Sequence, residues 1–218
     1  MIAAALACLI GIDVGHDSID FGTLTASGRH EWQYNLATAS TIHDALSKAG
    51  IKSVLLNSDG RPIPLADRPK LAAEQGVTLF VAVHHDAAQE QYAPYPDLFS
   101  GYGLFTSIKN PGFAQSVEVA KAMADNLLAA GMHPSLHHAE AIKGENRPLI
   151  DAKRGIYRFD DLVVLRTATM PALLVEAGVV INPEEEKAAA TQQYRAKVAA
   201  AVVAGARKHC AMLSPVPR

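Results

Sequence analysis

Short, nearly unbroken runs of Val, Leu and Ile alternate along this chain with longer stretches in which apolar side chains recur every three or four residues. The runs are Cys8–Val14, Ile51–Asn57, Thr78–His85, Gly101–Ser107, Leu162–Thr167 and Ala172–Ala177. Their length and continuity predict strands covered on both faces. Between the first two, Leu36, Ala39, Ile42, Leu46 and Ala49 line one face of a helix from Glu31 to Ala49, and Gly50 stops it. A second helix is expected from Phe113 to Ala130, ending at Gly131. The last starts at the strongest cap in the chain. Asn182 is its N-cap and Pro183 its first residue, Glu184, Glu185 and Glu186 face the positive end of the dipole, and Val198, Val202 and Gly205 share a face further on. This alternation predicts a three-layer α/β/α domain with a mostly parallel, twisted sheet of about six strands. No internal repeat, low-complexity tract or linker interrupts it, so residues 1–218 read as a single domain. The longest irregular stretches are Gln89–Ser100 and His133–Asp161, and loops at the carboxyl ends of such strands carry the chemistry.

Composition narrows the classes of partner. The 218 residues carry 20 Lys and Arg against 22 Asp and Glu, a formal charge of −2, which leaves no electrostatic footprint for nucleic acid and no basic patch for a membrane surface. Aromatic residues are only 6%, which argues against a platform for stacking bases. Cys8 and Cys210 lie near opposite ends, and the absence of a Cys-x-x-Cys pair excludes a zinc knuckle. They read equally well as a disulfide of an oxidising compartment or as two small buried hydrophobes. The opening "MIAAALACLIGI" is apolar but has no basic flank, and it falls short of the about 20 residues that span a bilayer. "ALAC" hints at a lipoprotein cleavage site, but Cys8 adjoins the first strand. The segment is therefore read as the start of a mature domain whose export signal is not in this sequence.

Polar residues at the ends of these elements are the candidate chemistry. His16 follows the first strand through the turn Val14–Gly15, and "TLFVAVHHDAA" ends in His84 and His85. Alternation puts Ala82, His84 and Asp86 on one face of that strand and Val81, Val83 and His85 on the other. Glu176 interrupts the apolar run "PALLVEAG", and Glu31 opens the first helix. Taken singly, a strand-end histidine is more often a satisfied polar residue than a ligand, and a first-turn glutamate favours the helix dipole. Glu176 is harder to dismiss, because an unpaired carboxylate in an apolar strand is costly. If the strands are parallel neighbours, His16, Glu31, His84 and Glu176 converge at one edge of the sheet. Two imidazoles and a carboxylate make a common catalytic zinc set, and a further carboxylate beside the water is what metal-assisted hydrolysis needs as a base.

Four motifs in order along the chain resemble those of the zinc-dependent N-acetylmuramoyl-L-alanine amidases of bacterial cell-wall turnover. "DVGHDS" at Asp13–Ser18 is similar to Asp-Pro-Gly-His-Gly-Gly, and "GRHEWQYN" supplies a glutamate at the start of the first helix. "AVHHD" at Ala82–Asp86 resembles Ser-Ile-His-Ala-Asp, and "PALLVEAGVVIN" at Pro171–Asn182 resembles Pro-x-Leu-Val-Glu-x-Gly-Phe-x-x-Asn. The stretch "RGIYRFDDLVVLRTATMPALLVE" also resembles the family's lead into that last strand. The departures are Val14 for proline, Asp17 for glycine and Val179 for phenylalanine. Asp17 reads either as an exposed turn residue or as a group that orients a ligand.

The resemblance implies one Zn²⁺ per chain held by His16, Glu31 and His84, the last chosen over His85, with Glu176 as the catalytic base. It implies hydrolysis of the amide between N-acetylmuramic acid and L-alanine in peptidoglycan or muropeptides, by an exported monomer in the periplasm or cell wall. One amidase catalytic domain with no separate wall-binding domain is expected, with no nucleic-acid partner and no transmembrane segment, and with a regulatory protein as a further partner the family allows. Within Gly131–Gly155, His138, Arg147 and Arg154 are candidate substrate contacts, the guanidinium groups suiting stem-peptide carboxylates, unless the segment is simply a solvated loop. His30, His43, His133 and His209 read as surface or packing residues. The rival functions are a zinc peptidase acting within the stem peptide and a non-catalytic peptidoglycan-binding or regulatory module.

Overall fold

The computed structural model describes residues 7–213. Seven strands form one sheet in the order β2-β1-β3-β7-β4-β6-β5. They are β1 (Leu9–Val14), β2 (Lys52–Leu56), β3 (Leu79–Asp86), β4 (Gly103–Thr106), β5 (Leu149–Asp151), β6 (Ile156–Arg158) and β7 (Ala172–Val179). Neighbours are parallel except for β4 against β7 and β5 against β6.

The continuous apolar runs make sense once both faces are followed. On β3, Val81 and Val83 enter one core while Phe80 and Ala82 enter the other. On β7, Leu173 and Val175 alternate with Ala172 and Leu174 in the same way. The first core is covered by α1 (Glu31–Lys48), α3 (Phe113–Ala129) and α6 (Gln192–Leu213), whose Ile42, Leu46, Val119, Met123 and Val202 pack on the sheet. The second is covered by α2 (Asp67–Glu74) and α4 (Val163–Arg166) through Ala72, Val164 and Leu165. Each fully buried Ile, Leu or Phe contributes about 1.5–3 kcal/mol relative to exposure, so a two-sided core is what the strand composition requires. The three-layer architecture is the expected one, with seven strands in place of about six.

Several elements depart from expectation. Leu162–Thr167 is not a strand: it contains the single helical turn α4. Val163 and Val164 favour extended backbone intrinsically, but Asn110 overrides that preference. Its Nδ2 lies 3.0 Å from the carbonyl oxygens of Leu165, Ala168 and Met170, which satisfies a bent backbone that a ladder would otherwise serve. The helix beginning at Asn182 is two helices, α5 (Pro183–Ala189) and α6. Asn182 caps the first through Glu184 N and Glu185 N, as expected, and Thr191 Oγ1 accepts from Tyr194 N to start the second. The segment His133–Asp161 is only partly irregular, since β5 and β6 lie within it.

Cys8 and Cys210 form a disulfide across a sequence separation of 202. It ties the end of α6 to the start of β1, where His209 Nε2 also meets Thr78 Oγ1 at 3.1 Å and Thr78 Oγ1 accepts from Leu9 N. Closing so long a loop chiefly constrains the unfolded chain. Reduction is expected to remove about 2–4 kcal/mol. At about 2–4 °C per kcal/mol for a domain of this size, that is a fall of about 4–16 °C in Tm. Thermal unfolding with and without reductant measures it, and coincident curves would leave the bond with no stabilising role. The first six residues of the apolar opening lie outside the described residues. Among the described residues no helix is long and apolar enough to cross a membrane.

Candidate metal centre

Parallel pairing does what the alternation promised. His84 on β3 is the register partner of Glu176 on β7, so the two side chains leave the same face of adjacent strands. On the other side of β3 the chain leaves β1 with Gly15 N donating to Val83 O, and His16 follows in a left-handed turn at φ 64°. That conformation is unfavourable for a non-glycine residue. It is braced by Asn57 Nδ2 and Arg68, whose guanidinium donates to the carbonyls of both Val14 and His16 at 3.0 Å. Glu31, buried at the first position of α1, points back at both imidazoles. His16 Nε2 lies 3.2 Å from Glu31 Oε2, and His84 Nδ1 lies 3.2 Å from Glu31 Oε1. One donor atom from each of the three falls within 4.8 Å of the others. Bonds of about 2.0–2.2 Å at tetrahedral angles separate donors by about 3.3–3.6 Å, so the spacing suits a divalent ion with only a small outward relaxation.

The supports of this set are equally specific. Asn35, one turn along α1, donates from Nδ2 to Glu31 Oε1 and to Gly15 O, and its Oδ1 meets His85 Nδ1 at 2.8 Å. Thr23 N donates to Glu31 Oε2. Gly22, at φ 74°, leaves room for the acid: a Cβ there would collide with Glu31 Oε2 and lie 2.7 Å from the His16 ring. Gly15 is constrained in the same way by the His84 ring.

Charge follows from these contacts. Burial alone would raise the Glu31 pKa, but hydrogen bonds from His16 and His84 hold it well below the usual carboxylate range. Burial lowers His84 despite Glu31, which keeps its lone pair available, and burial takes His85 down to about 4. Glu176 goes the other way. Burial first, then the negative charges of Asp86 and Glu31, push it well above the ordinary value, and its Oε2 is buried without a hydrogen-bond partner.

His16, His84 and Glu176 all line one cavity of about 660 Å³. Pro62–Leu65, Leu162–Val164 and Leu174 supply its apolar lining, and Asp13, Asp17, Asp20 and Arg68 add polar groups beside His16, His84 and Glu176.

The profile of the N-acetylmuramoyl-L-alanine amidase family matches residues 10–208. This chain belongs to that family. Among amidases, AmiA of Escherichia coli K12 is 27% identical over 214 residues, spanning 90% of this chain and 74% of AmiA. The crystal structure of an N-acetylmuramoyl-L-alanine amidase from Clostridium difficile 630 superposes with a TM-score of 0.74 at 26% identity, covering 92% of this chain and 95% of that one. The fold of Ami1 from Mycobacterium smegmatis matches with a TM-score of 0.76 at 20% identity, over 96% and 100% of the two chains.

Other residues singled out in this amidase sequence fall in different places. Asp17 is buried, not exposed: its Oδ1 accepts from Ile19 N and Asp20 N and shapes the turn after His16. Arg147 lies over the Phe159 ring at 3.7 Å, and Arg154 pairs with Asp125 and Asp151. His138 has both ring nitrogens engaged, with Asp86 and Glu145. None of these three is part of the cavity wall described above. His30 stacks on Phe21, His43 meets Ser53, and His133 meets Ser100, in keeping with packing roles. Asn35 was legible in principle, since it stands four residues after Glu31 on the same helix face. Arg68 and Asn57 carry no local signal, because only the tertiary fold brings them to the His16 turn.

Proposed function

We propose that this protein is a zinc-dependent amidohydrolase that cleaves the bond between N-acetylmuramic acid and L-alanine in peptidoglycan or muropeptides. The observation that carries the reading is the convergence of His16, Glu31 and His84, two of which line a cavity together with Glu176, whose Oε2 is buried without a partner. His16 Nε2, His84 Nδ1 and a Glu31 oxygen would hold the ion. When bound, zinc lowers the pKa of a coordinated water to about 7 and polarises the scissile carbonyl.

The remaining steps belong to the chain. Glu176 accepts the proton from the attacking water as the new C–O bond forms. It then delivers that proton to the alanine nitrogen as the C–N bond breaks, leaving a lactyl carboxylate and a free amine. Asn35, Thr23 and the braced His16 turn hold the donors in place, so little reorganisation is needed during the reaction. The apolar side chains of Ile63, Leu65 and Val163 offer surface on which the chains flanking the amide can pack. Residues 1–218 would act as a single catalytic domain. A substrate of the cell wall places the protein outside the cytoplasm, where a Cys8–Cys210 disulfide is stable.

Digestion of purified peptidoglycan followed by mass analysis tests the reaction. Intact stem peptides with a free L-alanine amine, and glycan bearing free lactyl carboxylates, are expected. Fragments cut within the stem peptide would make the protein a peptidase. Tight muropeptide binding with no turnover in the zinc-loaded protein would make it a binding module. The reading also sets the effect of crowding the acid. Gly22→Ala is expected to weaken zinc binding by about 10–100-fold, as losing a ligand's support does. Competition with a chromophoric chelator measures this, and unchanged affinity would show that Glu31 does not need that space.

A further inference from the structure

A second cluster of donors lies beyond the end of β3. Asp86, His137 and His138 each offer one ligand atom, and these atoms lie within 4.8 Å of one another. Asp86 Oδ2 is 2.7 Å from His138 Nε2 and 3.3 Å from His137 Nε2. The opposite nitrogens are both held from behind, His138 Nδ1 by Glu145 Oε2 and His137 Nδ1 by Ser135 Oγ, each at 2.8 Å. Glu145 is itself fixed by Gln89 Nε2, and Asp86 Oδ1 accepts from Ala87 N. Two imidazoles whose Nδ1 atoms meet outer oxygen groups while both Nε2 atoms face one carboxylate reproduce the layered support of protein metal sites. Aromatic rings close the sides: Phe99 stacks on His137 at 4.7 Å, and Phe105 meets His138 edge-on at 5.0 Å.

A proton is the simpler occupant, and it explains only half of the cluster. His138 Nε2 faces Asp86 Oδ2 at 2.7 Å and its Nδ1 faces Glu145 Oε2 at 2.8 Å. A proton on His138 therefore bridges the two carboxylates. It does nothing for His137, whose Nε2 is buried with no hydrogen-bond partner. A buried ring nitrogen without a hydrogen bond costs about 1–3 kcal/mol. One cation at the point where Nε2 of His137, Nε2 of His138 and Oδ2 of Asp86 meet satisfies all three.

We propose that Asp86, His137 and His138 form a second divalent-metal site that fastens the segment after α3 to the end of the strand carrying His84. Two nitrogens and one carboxylate oxygen favour zinc over calcium or magnesium. The 3.3 Å separation already matches tetrahedral donors at about 3.3–3.6 Å. The 2.7 Å contact to His138 opens by about 0.6 Å to the lower end of that range when the ion replaces the proton. The clamp is structural. It adds β3 to the anchors of a segment that already bonds the neighbouring strands through Tyr102 N to His133 O, Ser135 N to Tyr102 O and Tyr157 Oη to Ser135 O.

Zinc titration of the chelator-stripped, untagged chain tests this, with bound metal counted after dialysis and with a zinc-edge anomalous map of zinc-soaked crystals. Two equivalents are expected for the wild type and one for His137→Gln. The loss of affinity for that equivalent should exceed the about 100-fold that removing an outer partner costs. The map should place the second peak between Asp86, His137 and His138, and it needs no variant to fold. Zinc should also raise the Tm of His84→Ala, in which the first centre is disabled, and should raise it less in His84→Ala with His137→Gln. A single equivalent that persists in His137→Gln, with no density at the cluster in the wild type, overturns the proposal. A single equivalent that persists in His84→Ala but disappears in His137→Gln upholds it and instead removes zinc from the first centre.

Discussion

Glu176→Gln is expected to lower kcat by about 10²–10⁴-fold, the range by which a positioned acid–base group accelerates a reaction, while KM and bound zinc stay unchanged. The substitution keeps size and shape and removes only the ability to take and return a proton. Binding is spared because Glu176 is a register partner of His84 and not one of the three groups whose donor atoms converge. The same change replaces a buried acid whose Oε2 has no hydrogen-bond partner. Glu176 is pushed well above its usual pKa by burial, then by Asp86 and Glu31, and a nearby cation favours its ionised form. An ion among His16, Glu31 and His84 supplies that charge, so the carboxylate is better ionised as a base in the loaded protein. In the metal-free protein Glu176→Gln should therefore melt no lower than the wild type. Steady-state kinetics, metal analysis and thermal unfolding form one test. Wild-type turnover in the variant would take Glu176 out of the mechanism, and loss of zinc would make it a ligand instead.

The residues of this centre were readable because each breaks a strong local pattern. Glu176 is an acid in an apolar run, His84 ends one, His16 follows one, and Glu31 starts a helix. Long elements were readable for the same reason: α1 and α3 run between their expected ends and stop at Gly50 and Gly131, both at positive φ. What escaped was whatever depends on contacts distant in sequence. α2 buries one apolar side chain completely, Ala72, so it has almost no periodic signal. β5 and β6 have three residues each, too few for alternation to register. Val163 and Val164 point to a strand by propensity, and only Asn110, far upstream, folds them into α4. The cluster at Asp86 was hidden for the same reason. His137 and His138 looked like loop residues until the β4–β6 edge of the sheet turned them inward. A single sequence shows which residues are out of place locally. It does not show which distant residue makes the place.

His84 and His85 separate metal binding from stability, because adjacent residues on a strand face opposite cores. His84→Ala removes one of three donors, so zinc affinity at the first centre should fall by well over the about 100-fold attributed to outer partners, and activity should fall with it. Its effect on the metal-free fold should be smaller than that of His85→Ala, since Glu31 loses the 3.2 Å contact to Nδ1 but keeps those to His16, Asn35 and Thr23. His85 points to α1. Its Nδ1 meets Asn35 Oδ1 at 2.8 Å, its ring packs edge-on to Tyr34 at 5.9 Å, and burial keeps it neutral with a pKa of about 4. His85→Ala leaves a void and an unpaired Asn35 oxygen in the core, at a cost of about 1–3 kcal/mol for the lost partner before any cavity cost is added. Zinc should still bind, with affinity lowered by no more than about 10-fold through the loosened Asn35–Glu31 contact. The two variants should thus show opposite profiles, one stable and zinc-poor at this centre, the other zinc-replete and less stable. Equilibrium dialysis against buffered zinc, paired with melting curves of the stripped proteins, distinguishes them. The reverse assignment, with His85→Ala losing the ion and His84→Ala keeping it, would place the donor on the wrong face of β3 and dismantle the centre described here.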